Sequence, residues 1–363
     1  MNGLWGGFPA ETSYRAQLFR GFALLCLTVH SVSGCARADA AERLPEAVTP
    51  EIKRRIERGM SYLLRTQNRD GSWYNMGGWG SYPTAMTALA GTALLMKGST
   101  ATRGPEARAI RKATNFLVRA ARPNGLLSTQ GEGSSMHGHG FAMLFLAQVY
   151  GMEEDAATGR RIHDVLTRAV RLTERSQSRA GGWLYSPDQD GDEGSVTVTQ
   201  IQGLRACRDA GIQVNPNTVK KAVRYIERSA NPDGGIRYRM SGGGGSRPPI
   251  SAAAVATLYN AGRYDSPLAL KCLAFCDRSI PLHGGSGGGW GHFYYTHLYF
   301  AQAKYVRGGR EWTRYYRAIS GRLASSQSSD GSWMGDHVGT SYGTALAVII
   351  LSLPYQLVPI YQR

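Results

Sequence analysis

The chain has 363 residues, 42% of them hydrophobic, with a formal net charge of +16. This is enough apolar material for a proper globular core, and it excludes a disordered or fibrous chain. The positive charge would signal nucleic-acid binding only if the basic residues formed one stripe; they are dispersed along the chain, so no specific nucleic-acid partner is expected.

The first forty residues resemble an export signal. Arg15, and Arg20 in "FRGFALLCLTVHSVSGC", precede a short apolar stretch that ends in small residues. That stretch is too short to span a bilayer core of roughly 30 Å. Val32-Ser33-Gly34-Cys35 resembles a lipobox that would lipidate Cys35, and Ala36-Arg37-Ala38 resembles an ordinary cleavage site. The expected product is an exported protein, periplasmic or anchored as a lipoprotein, touching the membrane only through a lipid on Cys35. Residues 41–363 would then form a single domain. Its three cysteines, Cys207, Cys272 and Cys276, make no disulfide framework and read as buried thiols.

Gly-containing turns recur through this domain: "QNRDGSW", "RPNGLL", "QSRAGGW", "NPDGGIRY", "GSGGGWGHF" and "QSSDGSW". Their glycines, Gly71, Gly125, Gly181, Gly234, Gly288 and Gly331, are separated by 54, 56, 53, 54 and 43 residues. A near-constant period of this size marks a repeat architecture. Before each turn stands a charged segment with apolar residues at helical spacing, such as "PEIKRRIERGMSYLLRTQ" or "NTVKKAVRYIERSAN". After each turn comes an almost uncharged segment, such as "YPTAMTALAGTALLM" or "GTSYGTALAVIILSL", which reads as a helix buried nearly all round. Six such hairpins suit an open solenoid or a closed ring. An open stack needs polar capping repeats at its ends. The last inner segment is instead among the most apolar, so the expected fold is all-α, an α/α toroid with inner and outer rings of six helices.

"QNRDGSW", "QSRAGGW" and "QSSDGSW" resemble the Q-x-x-x-G-x-W repeat of squalene and oxidosqualene cyclases. The layout over residues 50–355 is similar to the toroid that those terpenoid cyclases share with protein prenyltransferase β subunits. The resemblance implies that the Gln and Trp of each motif tie one repeat to the next, with Trp73, Trp183 and Trp333 stacking.

The third turn, "SPDQDGDEGSV", is the most acidic. A calcium loop of the D-x-D-x-D-G-x5-E type would need glycine where Glu193 stands and glutamate where Thr199 stands. Asp190-Gly191-Asp192-Glu193 resembles the D-x-D-D motif with which class II terpenoid cyclases protonate an alkene or epoxide. That implies Asp192 as acid with Asp190 and Glu193 as modulators, and requires a carboxyl kept protonated by its surroundings. Against it stand the final Glu, the N-terminal end of a helix, which favours the ionised form, and the second barrel of family cyclases, for which this chain leaves no residues. The plain alternative is helix capping by Asp192 and Ser195.

All six inner-helix starts should meet at one mouth of the barrel. They bring His137, His139, His292, His297, Asp336 and His337, a donor set that could hold a divalent metal such as zinc. A prenyltransferase-type zinc site is not expected, because no D-x-C stands at an inner-helix start. Aromatic residues, Trp79, Tyr82, Phe141, Trp290, Phe293, Tyr294, Tyr295, Tyr299 and Tyr342, gather at the same end. They would line a cavity for an isoprenoid or lipid-like ligand or fill the barrel axis, and "RMSGGGGSRPPI" could cover the opening. The functional expectations are therefore a protein that binds an apolar ligand or a partner in the toroid cavity, a terpenoid-cyclase-like enzyme, or a toroidal carbohydrate hydrolase or lyase.

Overall fold

In the computed structural model the described residues are 44–77, 80–188, 190–240, 242–282 and 292–362. Among them are twelve α-helices and no strand: α1 (Pro50–Thr66), α2 (Pro83–Leu95), α3 (Ala107–Arg119), α4 (Ser135–Met152), α5 (Ala156–Arg175), α6 (Gly194–Asp209), α7 (Pro216–Arg228), α8 (Pro248–Asn260), α9 (Pro267–Ser279), α10 (Phe293–Arg307), α11 (Gly309–Ser326) and α12 (Thr340–Ser352). The export signal and Cys35, like Trp79 and Trp290, lie outside the described residues. None of the described helices is long and apolar enough to cross a membrane.

Odd and even helices differ as their sequences dictate. α1 buries a single stripe, Ile52, Ile56, Gly59, Met60 and Leu63, whereas all thirteen residues of α2 are buried. A helix buried all round needs other helices on every side. The even helices supply them to one another: α2, α4, α6, α8, α10 and α12 pack in succession, and α12 packs back against α2 and α1. The ring is closed, with the odd helices outside it.

The seams repeat. The Gln67 amide donates to the Gly71 carbonyl at 3.1 Å and, across the seam, to the Ala109 carbonyl of α3 at 2.9 Å. Gln177 does the same to Gly181 and to Thr218 of α7 (2.8 and 2.9 Å), and Gln327 to Gly331 and to Arg55 of α1 (both 2.9 Å). The bond from the sixth repeat to the first thus matches those between consecutive repeats. Each Trp is buried and donates its indole N–H to the outer helix just before it, at Leu63, Thr173 or Leu323. Trp333 also lies on α1 at Gly59, where a Cβ would fall 2.7 Å from the ring. The first turn glycine, Gly71, has φ +98° and sits so close to the Lys112 backbone that no side chain fits.

Inner helices approach closely where side chains are small. A Cβ on Gly140 of α4 would fall 2.7 Å from the Thr199 backbone of α6. On α10, His297, Phe300 and Lys304 turn outward to Tyr315, Glu311 and Asp277. Tyr295, Tyr299 and Gln302 share another face of that helix, and Gln302 accepts a 2.6 Å hydrogen bond from Gln202 of α6, reaching past α8. This bond joins two inner helices that are not neighbours in the ring. Beyond it the chain end, through 3-10 turns at Leu353–Tyr355 and Pro359–Tyr361, packs on α4 and α6, with Ile360 N–H donating to Gln148 at 3.4 Å.

Candidate functional site

The third turn leaves Asp188 and Asp190 exposed, while Asp192 and Glu193 are buried. The division has a backbone cause. Glu193 pairs with Trp183 as an isolated antiparallel bridge, its N–H donating to the Trp183 carbonyl at 2.9 Å. This draws the end of the acidic turn into the barrel wall. The expected cap by Asp192 is not what forms. Glu193 caps α6: Oε1 accepts from Ser195 N–H at 2.9 Å, and Oε2 accepts from Val196 N–H at 3.0 Å and from the Ser195 hydroxyl. Asp192 instead accepts from Met240 N–H at 2.9 Å, which staples the third turn to the fourth. Asp190, exposed on the turn, is not a neighbour that burial could turn into a modulator.

Burial raises the Glu193 carboxyl above the usual range, opposed by its three hydrogen bonds and by the charge of Arg239. The charge of Glu193 adds to the burial that raises the Tyr295 and Tyr299 phenols of α10. Those two rings meet edge to face at 4.8 Å, and both hydroxyls are buried without a hydrogen-bond partner. A buried polar atom with no partner marks a place for water or a ligand. Tyr342, half-buried on α12, and Tyr294 join this group, their rings 6.5 Å apart. Tyr82 and Phe141 are half-buried at the starts of α2 and α4.

The third and fourth turns also form a cluster for which the sequence carries no expectation. The Tyr185 and Tyr238 hydroxyls are hydrogen-bonded to each other, Arg239 lies over both rings, and Arg247 lies 4.7 Å from the Tyr238 centroid. A signal existed in the repeat register: both tyrosines stand two residues after the last position of their turns, Trp183 and Ile236.

The expected metal cluster does not form. Among the described residues no group of three or more His, Cys, Asp or Glu side chains could hold an ion. His139 is structural: Nδ1 accepts from Leu127 N–H at 3.0 Å, the task that Thr87, Thr197 and Thr344 perform for Trp73, Trp183 and Trp333, and Nε2 meets Thr173. His297 is bonded to Tyr315. Asp336 spends both oxygens on the Phe293 and Tyr294 N–H groups that begin α10. His292 and His337 are exposed, their ring centroids 5.9 Å apart. His137 bridges two serines, Ser134 at 2.7 Å and Ser195 at 3.0 Å. The glycine stretch expected as a cover is pinned to its own turn, the Ser246 hydroxyl donating to Asp233 at 2.7 Å. Cys207, Cys272 and Cys276 are free and buried, and burial pushes the Cys272 thiol up to about 12.

No protein-family model matches the chain. The apo structure of the type II terpene cyclase MstE from Scytonema superposes with a TM-score of 0.57 at 16% identity, covering 86% of this chain and 100% of that one. The chain shares the α/α-toroid fold of this cyclase. This toroid also superposes on the GH76A α-1,6-mannanase of Salegentibacter sp. HEL1_6, with a TM-score of 0.60 and 12% identity over 84% of this chain and 99% of that one. In sequence, drimenyl diphosphate synthase of Streptomyces showdoensis is 26% identical over 215 residues, 57% of this chain and 38% of that protein. The enzyme of the same name from Streptantibioticus cattleyicolor is 27% identical over 178 residues, 49% of this chain and 31% of that protein. The toroid thus spans about a third of the length of the curated relatives that it matches. The match covers the whole of the MstE chain, whereas about two thirds of the curated synthases' length lies outside it.

Proposed function

We propose that this toroid cyclises an isoprenoid-like polyene, with Glu193 as the proton donor. The observation that carries the reading is Glu193 itself: a fully buried carboxyl, raised by burial, whose charge acts on the two tyrosines whose hydroxyls lack partners. Its protonated form would add a proton to a terminal alkene or epoxide. The resulting cation is attacked by a neighbouring double bond of the same substrate, and the faces of Tyr295, Tyr299 and Tyr342 offer it π density. Loss of a proton ends the sequence, so the product of an alkene substrate is its isomer. The likeness to MstE, described in complex with geranylgeranyl dihydroxybenzoate, and to the drimenyl diphosphate synthases supports the substrate class.

The test is incubation of purified protein with geranylgeranyl-type substrates, followed by mass spectrometry for cyclised isomers. Glu193→Gln keeps an isostere but removes the acid, and is expected to lower turnover by about 10²–10⁴-fold. Asp192→Asn is expected to retain most turnover. Full activity in Glu193→Gln would refute the assignment. A toroidal glycoside hydrolase is the second reading, since Asp192 and Glu193 are adjacent and the mannanase has an inactive variant altered at two adjacent aspartates; release of mannose oligomers from α-1,6-mannan would favour it. The proposed compartment is outside the cytoplasm, and the mass of the mature N-terminus, with or without lipid on Cys35, tests that.

A further inference from the structure

We propose that Ser134, His137 and Ser195 form a proton path that reloads Glu193 from the half-buried rim of the barrel. The inference rests on Glu193 acting as the acid, and it follows from the order of donors and acceptors. An ionised Glu193 cannot donate, so the Ser195 hydroxyl must give its proton to Oε2, at 2.5 Å. A serine has one proton, so Ser195 Oγ can only accept from His137 Nε2, at 3.0 Å. The imidazole is therefore the Nε2–H tautomer, and its Nδ1 accepts from the Ser134 hydroxyl at 2.7 Å. Every group donates one step inward, and no step has an alternative direction while the carboxylate is charged.

The chemistry balances as a shift of four protons by one position each. Glu193 Oε2 gains the Ser195 hydroxyl proton, Ser195 gains the His137 Nε2 proton, and His137 Nδ1 gains the Ser134 proton. Ser134 takes one from solvent, and the charge of the carboxylate is neutralised. The line then points outward, and it resets when the two hydroxyls rotate and the half-buried imidazole loses its Nδ1 proton to solvent and takes one from solvent at Nε2. Burial keeps His137 neutral, pushed down to about 4, so the ring passes a proton without storing one. Two helices hold the path: Ser134 and His137 begin α4, and Ser195 begins α6. Ser195 and His137 touch no substrate in this scheme; they are positioning residues that act through Glu193.

The experiment needs no substrate. The carbonyl stretch of protonated Glu193 is identified in the infrared spectrum as the band that Glu193→Gln removes. Its shift after mixing the protein with D2O gives the rate at which that carboxyl exchanges its proton. Ser195→Ala leaves both backbone N–H bonds to Glu193 in place and is expected to slow exchange by about a hundredfold. His137→Phe should do the same, and Ser195→Thr should restore the rate. Exchange in Ser195→Ala at the rate of the unaltered protein overturns the path while leaving Glu193 as the acid. Absence of the band at neutral pH overturns the acid itself.

Discussion

Replacing His139 by threonine should remove an acid sensitivity built into the second repeat. Its Nδ1 accepts the Leu127 N–H, so the proton of the neutral ring sits on Nε2, facing Thr173. A second proton would have to displace that backbone bond in a site with no solvent exposure. Burial, with a smaller contribution from Arg175, accordingly holds the imidazole down at about 4 against an ordinary 6.5. A histidine lowered in the fold binds its proton more readily when unfolded. Stability is therefore complete above pH 6.5, falls as the pH drops, and has lost its full share below about 4. The gap between the two values corresponds to about 3 kcal/mol. Threonine performs the same task in three other repeats, although the lost ring volume should cost about 2–4 kcal/mol at neutral pH. Urea denaturation of both proteins from pH 4 to pH 8 measures the difference, in which the matching contributions of His137 and His297 cancel. That difference should shrink by about 3 kcal/mol on going from pH 7.5 to pH 4. Parallel curves would show that His139 is not held neutral by the fold.

Two further outcomes test the ring. Gln327→Ala removes three hydrogen bonds, two of them to Arg55 of the first repeat, and should destabilise by about 2 kcal/mol, the cost also expected of Gln67→Ala within consecutive repeats. A cost near zero for Gln327→Ala beside a normal cost for Gln67→Ala would mean that the toroid is open in solution. Gly140→Ala places a methyl 2.7 Å from the Thr199 backbone and must push α4 from α6, at a cost of about 1–3 kcal/mol by thermal or chemical unfolding. An unchanged midpoint would show that this contact is looser than described.

The helices and their alternation were legible because burial acts through period and composition, which a sequence carries openly. The "TAMTALAGTALL" of α2 has no polar stripe, and only a helix surrounded by others can tolerate that. Ring closure was inferred from the apolar last segment, and the bond from Gln327 to Arg55 gives it a physical form. The site was harder to read. That Glu193 and not Asp192 caps α6 depends on one backbone bridge to Trp183, and a one-residue slip there would exchange the two. His139 looked like a ligand because chemistry-bearing residue types gather at helix starts; its job, that of a threonine elsewhere, is visible only once the repeats are superposed in space. Tyr185 and Tyr238 were passed over because they belong to turns, where register, and not hydrophobic period, decides which side chains meet.

Four of the inner helices, α2, α4, α6 and α10, are finished by the repeat that follows. Thr84 N–H at the start of α2 is met by Glu132, Met136 of α4 by the Tyr185 carbonyl, Gly194 of α6 by the Tyr238 carbonyl, and α10 by Asp336. A chain leaving the ribosome therefore carries an unfinished helix end at its growing edge until the next turn has been made. The sixth repeat serves two neighbours at once, completing α10 behind it and receiving Met76 and Gly77 of the first turn at the Val338 carbonyl. Until that repeat is synthesised, the earlier hairpins form an arc with apolar faces at both ends. The toroid becomes a finished object in one late step, when the sixth repeat meets the first.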